Sequence, residues 1–273
     1  GKAILFTGAG FSLGSTNGSG QDLPTGYGLK KLLLTELLGY KESGEDFKEL
    51  IEDKLSDICA FSEQESSPSK VQDFIIEQFS NCKPKEFHRT IANFKKWKRI
   101  YTINIDDVLE NSMEGSLLAV QDVEHPITYT KAKQVEYIKL HGSVRNRSSR
   151  LVFSNQQYVD SMLKSTDYRF NRFSQDMQME NFVIVGTEMD EINLDYYLNL
   201  FSSGAWKTSH GQLFFVNPKP RKIFRSKIES LGAYIIEWTT EEFAKHLNEI
   251  GGDSFAYTGD IDGFISVRKR FDS

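Results

Sequence analysis

Cysteine is nearly absent from this chain. Its two examples, Cys59 and Cys82, are too few for a four-cysteine zinc site and read as buried thiols rather than a disulfide, as in a reducing compartment. Long apolar runs are also missing. Stretches such as NFVIVG (181–186) and QLFFVN (212–217) fall far short of the roughly 20 residues that span a bilayer. No basic, apolar and small-residue leader opens the chain, so a soluble, cytoplasmic protein without membrane contact is expected. An excess of positive charge is lacking too. The net charge is -5, and basic residues are scattered apart from KKWKR (95–99) and KPRK (219–222), which argues against a nucleic-acid surface across the domain.

What is present is a chain of 273 residues, 39% hydrophobic and 26% charged, long enough for one large α/β domain or a core domain with a sizeable insertion. β-Branched and apolar runs predict strands at 3–7, 99–103, 136–140, 182–186, 212–216 and 233–237. Helical spacing predicts helices at 27–39, which ends in a glycine stop, and at 106–113, 191–202, 220–230 and 240–249. This alternation implies a doubly wound parallel sheet that binds ligands at the carboxyl ends of its strands. Residues 41–97 carry helical spacing without a good strand candidate and read as a helical insertion broken by EQESSPS; residues 154–180 read as a second. The expected domain spans 1–250. Residues 251–273 follow two glycines, change character, and are expected to form a separate segment that could lead to another domain.

Chemistry-bearing residues gather at the strand ends. ILFTGAGFSLG (4–14) places Gly8, Gly10 and Gly14 after the first strand. That suits backbone approach to a pyrophosphate or a simple tight turn, and the spacing is not GxGxxG. In YTINIDD (101–107), Asn104, Asp106 and Asp107 lie where a strand passes into a helix, and one aspartate could serve as an N-cap, Asp107 being the candidate. YIKLHGS (137–143) ends a strand with His141, a candidate general base because an unperturbed imidazole titrates near 6.5. VIVGTEMDE (183–191) and FFVNPKP (214–220) end in small or amide residues that suit either a nucleoside contact or a turn.

Taken in order, these five stretches resemble the sirtuin family, whose members carry a GAG-x-S loop, a T-x-N-x-D strand end, a catalytic HG, a GT turn and a later asparagine turn on a Rossmann-like core that binds NAD. The matching residues are Gly8-Ala9-Gly10-Phe11-Ser12, Thr102-Ile103-Asn104-Ile105-Asp106, His141-Gly142, Gly186-Thr187 and Val216-Asn217. The resemblance implies that Gly8, Ala9, Gly10 and Ser12 line the phosphates of NAD. It implies that Asn104 holds the nicotinamide ribose and the attacking water, that Asp106 contacts the carboxamide, and that His141 is the general base. Gly186, Thr187 and Asn217 would bind the adenosine half. Glu188 stands where sirtuins usually have serine.

The departures matter as much. No cysteine follows His141, so the zinc module that builds the peptide cleft of sirtuin deacylases is missing, and LPTGYGLKKLL, beginning at Leu23, replaces the G-I-P-D-F-R segment. This pattern is similar to divergent bacterial sirtuin-like domains that hydrolyse NAD as effectors of anti-phage defence. The implied activity is an NAD+ glycohydrolase that releases nicotinamide and ADP-ribose, with NAD+ as substrate and no metal. The alternatives are an NAD-dependent protein deacylase or ADP-ribosyltransferase, or a non-catalytic NAD or ADP-ribose sensor. Control through a homo-oligomer, or through a sensor or ATPase partner in the same or another chain, is expected. Candidate contact surfaces are the helices of 41–97 and 154–180, KKWKR and the aromatic-rich YRFNRF (168–173).

Overall fold

The computed structural model describes residues 3–113, 119–121, 135–147, 151–153, 168–187, 198 and 211–251. Among these residues, seven strands pair in parallel: β1 (Ala3–Thr7), β2 (Trp97–Thr102), β3 (Ala119–Gln121), β4 (Glu136–Lys139), β5 (Phe182–Val185), β6 (Leu213–Val216) and β7 (Tyr234–Ile236). Their order is β3-β4-β2-β1-β5-β6-β7. The chain therefore builds one side of β1 first, with β4 inserted between β2 and the edge strand β3, and then returns to work outward on the other. The reversal falls between β1 and β5, where a Rossmann-like sheet opens a crevice. Strand β3 was not anticipated, because three residues at a sheet edge leave no alternation long enough to distinguish from a helical turn.

The strands are apolar on both faces because both faces are covered. Ile4, Phe6, Ile184 and Phe215 point to one side and Leu5, Val183, Val185 and Phe214 to the other. The first side packs against α7 (Tyr168–Met179) and α8 (Lys222–Ser230) through Phe170, Phe173, Met177, Phe224 and Ile228. On the second lie α5 (Glu86–Ala92), α6 (Val108–Ser112) and α9 (Thr240–Gly251), through Ile91, Val108, Leu109, Phe243 and Leu247. Helix α7 is tied down further. Asp176 accepts from the Arg99 guanidinium and, at 2.7 Å, from the Tyr101 hydroxyl.

A third core belongs to the predicted helical stretch. Helix α1 (Gly26–Leu32) starts within the LPTG loop, where Thr25 Oγ1 accepts the Gly28 N–H at 3.1 Å as an N-cap, and runs into a wider turn over Leu33–Leu37. It packs with α2 (Glu45–Leu50), α3 (Leu55–Glu65) and α4 (Pro68–Phe79), whose Ile58, Val71, Ile75 and Ile76 are buried. The EQESSPS break falls where α3 stops and Ser67 caps α4. Helix α5, the last of the 41–97 stretch, instead covers the sheet. The helical cluster reaches the strand ends through Ile105, Val144 and Leu151.

Two sequence expectations change here. Phe170 and Phe173 of YRFNRF are core residues and Arg169 is buried, so that segment is no free contact surface; Tyr168 is its exposed ring. In KKWKR, Trp97 and Arg99 are buried and Lys95, Lys96 and Lys98 remain outside. Cys59 and Cys82 are free buried thiols; burial pushes the Cys59 thiol up to about 12 and raises that of Cys82, leaving both protonated. The predicted helix 191–202 (except residue 198), residues 154–167, Glu188 and residues 252–273 lie outside the described residues.

Candidate functional site at the strand ends

Strand register brings the named residues to one edge. Thr7 pairs with Thr102 and with Val185, so Gly8 and Gly186 each lie one residue beyond paired positions on neighbouring strands. Thr102 pairs with Lys139, which places Asn104 and His141 each two residues past that pair on adjacent strands. Val185 pairs with Val216, so Asn217 follows at the same edge.

The two glycine turns are packed backbone to backbone. Gly8 N–H donates to Val185 O at 3.0 Å and Gly10 N–H to Gly186 O at 2.8 Å, while residues Ala9–Ser12 form one tight helical turn. A Cβ on Gly8 would lie 2.5 Å from Thr187 Cβ, and one on Gly10 would lie 2.9 Å from Gly186 Cα. Gly186 sits at φ +76°, and its added Cβ would be 2.1 Å from Phe11 N. These glycines therefore have a packing role that precedes any ligand. Behind the turn, His88 on α5 is fully buried: its Nδ1 accepts the Lys85 N–H at 2.9 Å, so Nε2 carries the proton and donates to Phe11 O at 2.7 Å. Burial holds this imidazole neutral, pushed down to about 4.

Asn104, Ser12 and Asp106 form a directed chain. Asn104 Nδ2 donates to Gly8 O and to Ser12 Oγ, both at 2.9 Å; a carbonyl can only accept, which fixes the amide with Oδ1 as the acceptor left to present. The Ser12 hydroxyl in turn donates to Asp106 Oδ2 at 2.8 Å, and Asp106 Oδ1 accepts the Val108 N–H at 3.0 Å. Ser12, expected at the phosphates, is the link between Asn104 and Asp106. Any carboxamide contact by Asp106 would share an oxygen already engaged. Burial raises the Asp106 carboxyl to about 6, against the opposing pull of Lys139 and its two hydrogen bonds.

Asp107, the expected cap, sits at the helix start without capping it. Its carboxylate accepts instead from Cys82 N–H at 2.8 Å and Asn81 N–H at 3.2 Å, holding a turn in which Asn81 has φ +56°. The neighbouring Asp106 takes the capping bond. Asn217 uses Oδ1 to accept the Lys219 N–H at 3.0 Å, so the asparagine shapes its own turn.

His141 is half-buried as a residue while its Nε2 is shut off from solvent. Burial, then the positive charge of Arg169, pushes its imidazole down to about 4, so it is neutral and able to accept a proton at physiological pH. Lys139, His88 and Arg169 went unnoticed in the sequence. The available signals were charged or imidazole side chains inside apolar periodicity: Lys139 within the strand YIKL and His88 on the helix face shared with Ile91 and Ala92. Among the described residues, no group of three or more His, Cys, Asp or Glu side chains is placed to hold a metal ion.

A sheet with its reversal beside two interlocked glycine turns, edged by an amide and a neutral imidazole, defines a Rossmann-like domain with a polar strand-end site. The SIR2-like domain model matches residues 98–236, and the chain belongs to that family. Two solved structures share the fold: a Sir2 homologue mutant in complex with 2'-O-acetyl ADP-ribose and a Sir2 homologue mutant in complex with ADP-ribose. Each matches with TM-score 0.52 and 14% identity over 95% of this chain and 95% of its own. Comparison with curated proteins finds no match.

Proposed function

We propose that the chain is an NAD+ glycohydrolase, cleaving the bond between nicotinamide and ribose to give nicotinamide and ADP-ribose, and that it acts as an effector depleting NAD in anti-phage defence. The observation that supports the reading is the register, in which Asn104 and a neutral His141 each follow the Thr102–Lys139 pair by two residues on adjacent strands, at the edge where the glycine turns interlock. The residues fit a dinucleotide: the glycine turn has little side-chain bulk, and the carbonyl of Asn104 is an acceptor suited to a ribose hydroxyl or a water. Family membership, and neighbours that hold ADP-ribose or its acetyl ester, support the same reading.

Cleavage of an N-glycosidic bond passes through an oxocarbenium-like state, so orientation of the sugar and of water matters more than strong nucleophilicity. Asn104 orients the hydroxyl or water, with its amide locked by Gly8 and Ser12. His141 accepts the proton. Asp106 fixes the direction of the Ser12 hydroxyl and, through it, Asn104. The reading includes control by assembly, as homo-oligomer or with a sensor or ATPase partner, because NAD is shared by the whole cell.

The test is chromatography of nicotinamide and ADP-ribose after incubation with NAD+, with Asn104→Ala and His141→Ala alongside. Release abolished in both variants, by at least about a hundredfold, supports the reading. Absence of both turnover and NAD+ binding by the wild type would overturn it, and transfer of an acyl group or ADP-ribose to protein would place the chemistry elsewhere in the family.

A further inference from the structure

The geometry points to Lys139 as a positioning residue that sets the Asn104 loop against His141. This rests on the reading that those two side chains do the chemistry. Lys139 is completely buried in β4, between the core residues Ile138 and Leu140. Its ammonium donates to the carbonyls of Ile105, at 3.1 Å, and Asp106, and to Glu110 Oε1 of α6 at 2.9 Å. Three protons meet three acceptors. The Tyr137 hydroxyl donates to the other oxygen of Glu110 at 3.3 Å, and Arg169 Nη1 donates to the Lys139 carbonyl at 2.9 Å.

The connectivity gives this pair its meaning. Ile105 and Asp106 directly follow Asn104, and Lys139 precedes His141 by two residues, so one ammonium fastens the loop of the first group to the strand of the second. A buried ion pair is a weak source of stability, since the desolvation of both charges offsets their attraction, and an apolar side chain would fill the space at lower cost. What an apolar side chain lacks is the ability to hold two consecutive carbonyls. Without that donor, Asn104 keeps its bonds to Gly8 O, Ser12 and Thr102, and Ile105 O keeps the Val144 N–H, but the tie from the two consecutive carbonyls through one ammonium to Glu110 is lost.

Two variants separate positioning from stability. Lys139→Met leaves Glu110 buried without its cation and is expected to lower the melting temperature. Lys139→Met combined with Glu110→Gln removes both charges and is expected to recover it. In the double variant, kcat for nicotinamide release should remain at least about tenfold below wild type with KM within about twofold, because binding is spared while alignment is lost. Hydrogen exchange should accelerate about tenfold at the amides of Asn104 and Val108, which are protected by the Thr102 hydroxyl at the end of β2 and by the Asp106 carboxylate and so report on the seating of the loop, with β1 and β5 unchanged. A double variant with wild-type kcat, or with unchanged exchange at those two amides, overturns the inference. The exchange arm needs no turnover. A wild type that neither releases nicotinamide nor binds NAD+ would sink the functional reading while exchange still decides the role of Lys139.

Discussion

At the scale of single residues, two shielded imidazoles, that of the fully buried His88 and that of the half-buried His141, give the protein a predictable response to acid. His88 and His141 are each pushed down to about 4, whereas an unfolded histidine titrates near 6.5. Their contribution to stability is full above 6.5 and is lost as pH falls towards 4, because the unfolded chain takes up protons that the folded one refuses. Asp106 works in the opposite sense. Its carboxyl is raised to about 6, so its ionisation weighs against the folded state above that pH and is relieved below it. Between pH 7 and 5 each histidine costs on the order of 2 kcal/mol and Asp106 returns about 1. The melting temperature should therefore fall over that interval, and His88→Gln should flatten the slope whatever it does to the absolute value. A wild-type profile flat from pH 7 to 5 would show that these groups are not shielded as described. Asn104 and His141 could be found in the sequence because each ends an apolar strand. His88 could not be given its role there, since its acceptor is a carbonyl 77 positions away, and Lys139 was hidden among residues that already read as a good strand.

At the scale of elements, the site depends on two turns that touch through their backbones. Gly186→Ala would put a methyl group 2.1 Å from Phe11 N at a φ of +76°, and neither backbone can yield without moving the Ala9–Ser12 turn. Gly20 provides the comparison: its φ is +85° but no atom lies within 4 Å of an added Cβ, so Gly20→Ala carries only backbone strain of about 1 kcal/mol. Denaturant titration should show Gly186→Ala losing more stability than Gly20→Ala, and steady-state kinetics should show its KM for NAD+ raised about tenfold or more. Equal effects in the two variants would mean that the turns are not interlocked. Six of the seven strands were legible to within two residues because a sheet covered on both faces writes continuous apolar runs into its strands. The glycines were legible as turns, but their contact was not, for Gly10 and Gly186 meet only once β1 and β5 are paired. The capping bond falls to Asp106 rather than Asp107 for a related reason: a capping preference is local, while the turn at Asn81 that claims Asp107 is brought in by the tertiary fold.

At the scale of the whole molecule, the helical cluster and the sheet are not independent. The cluster's core includes Ile105, which stands between Asn104 and Asp106, so a displacement of α3 or α4 has a packed path to the residues proposed to orient substrate. Such a path is what control by assembly requires, because a partner that biases the packing of α1 to α4 changes the site without touching it. The sequence identified these helices but not which of their faces meets another subunit, since a solvated face and a polar contact face have the same composition. Activity per subunit measured across a dilution series, with the mass of the particle followed by light scattering, decides the matter. Specific activity is expected to change over the concentrations at which the mass changes. In Ile105→Ala, which trims the packing between the cluster and the strand end, the change in mass should persist and the change in activity should shrink. A specific activity that stays constant while the mass falls would remove assembly as the control.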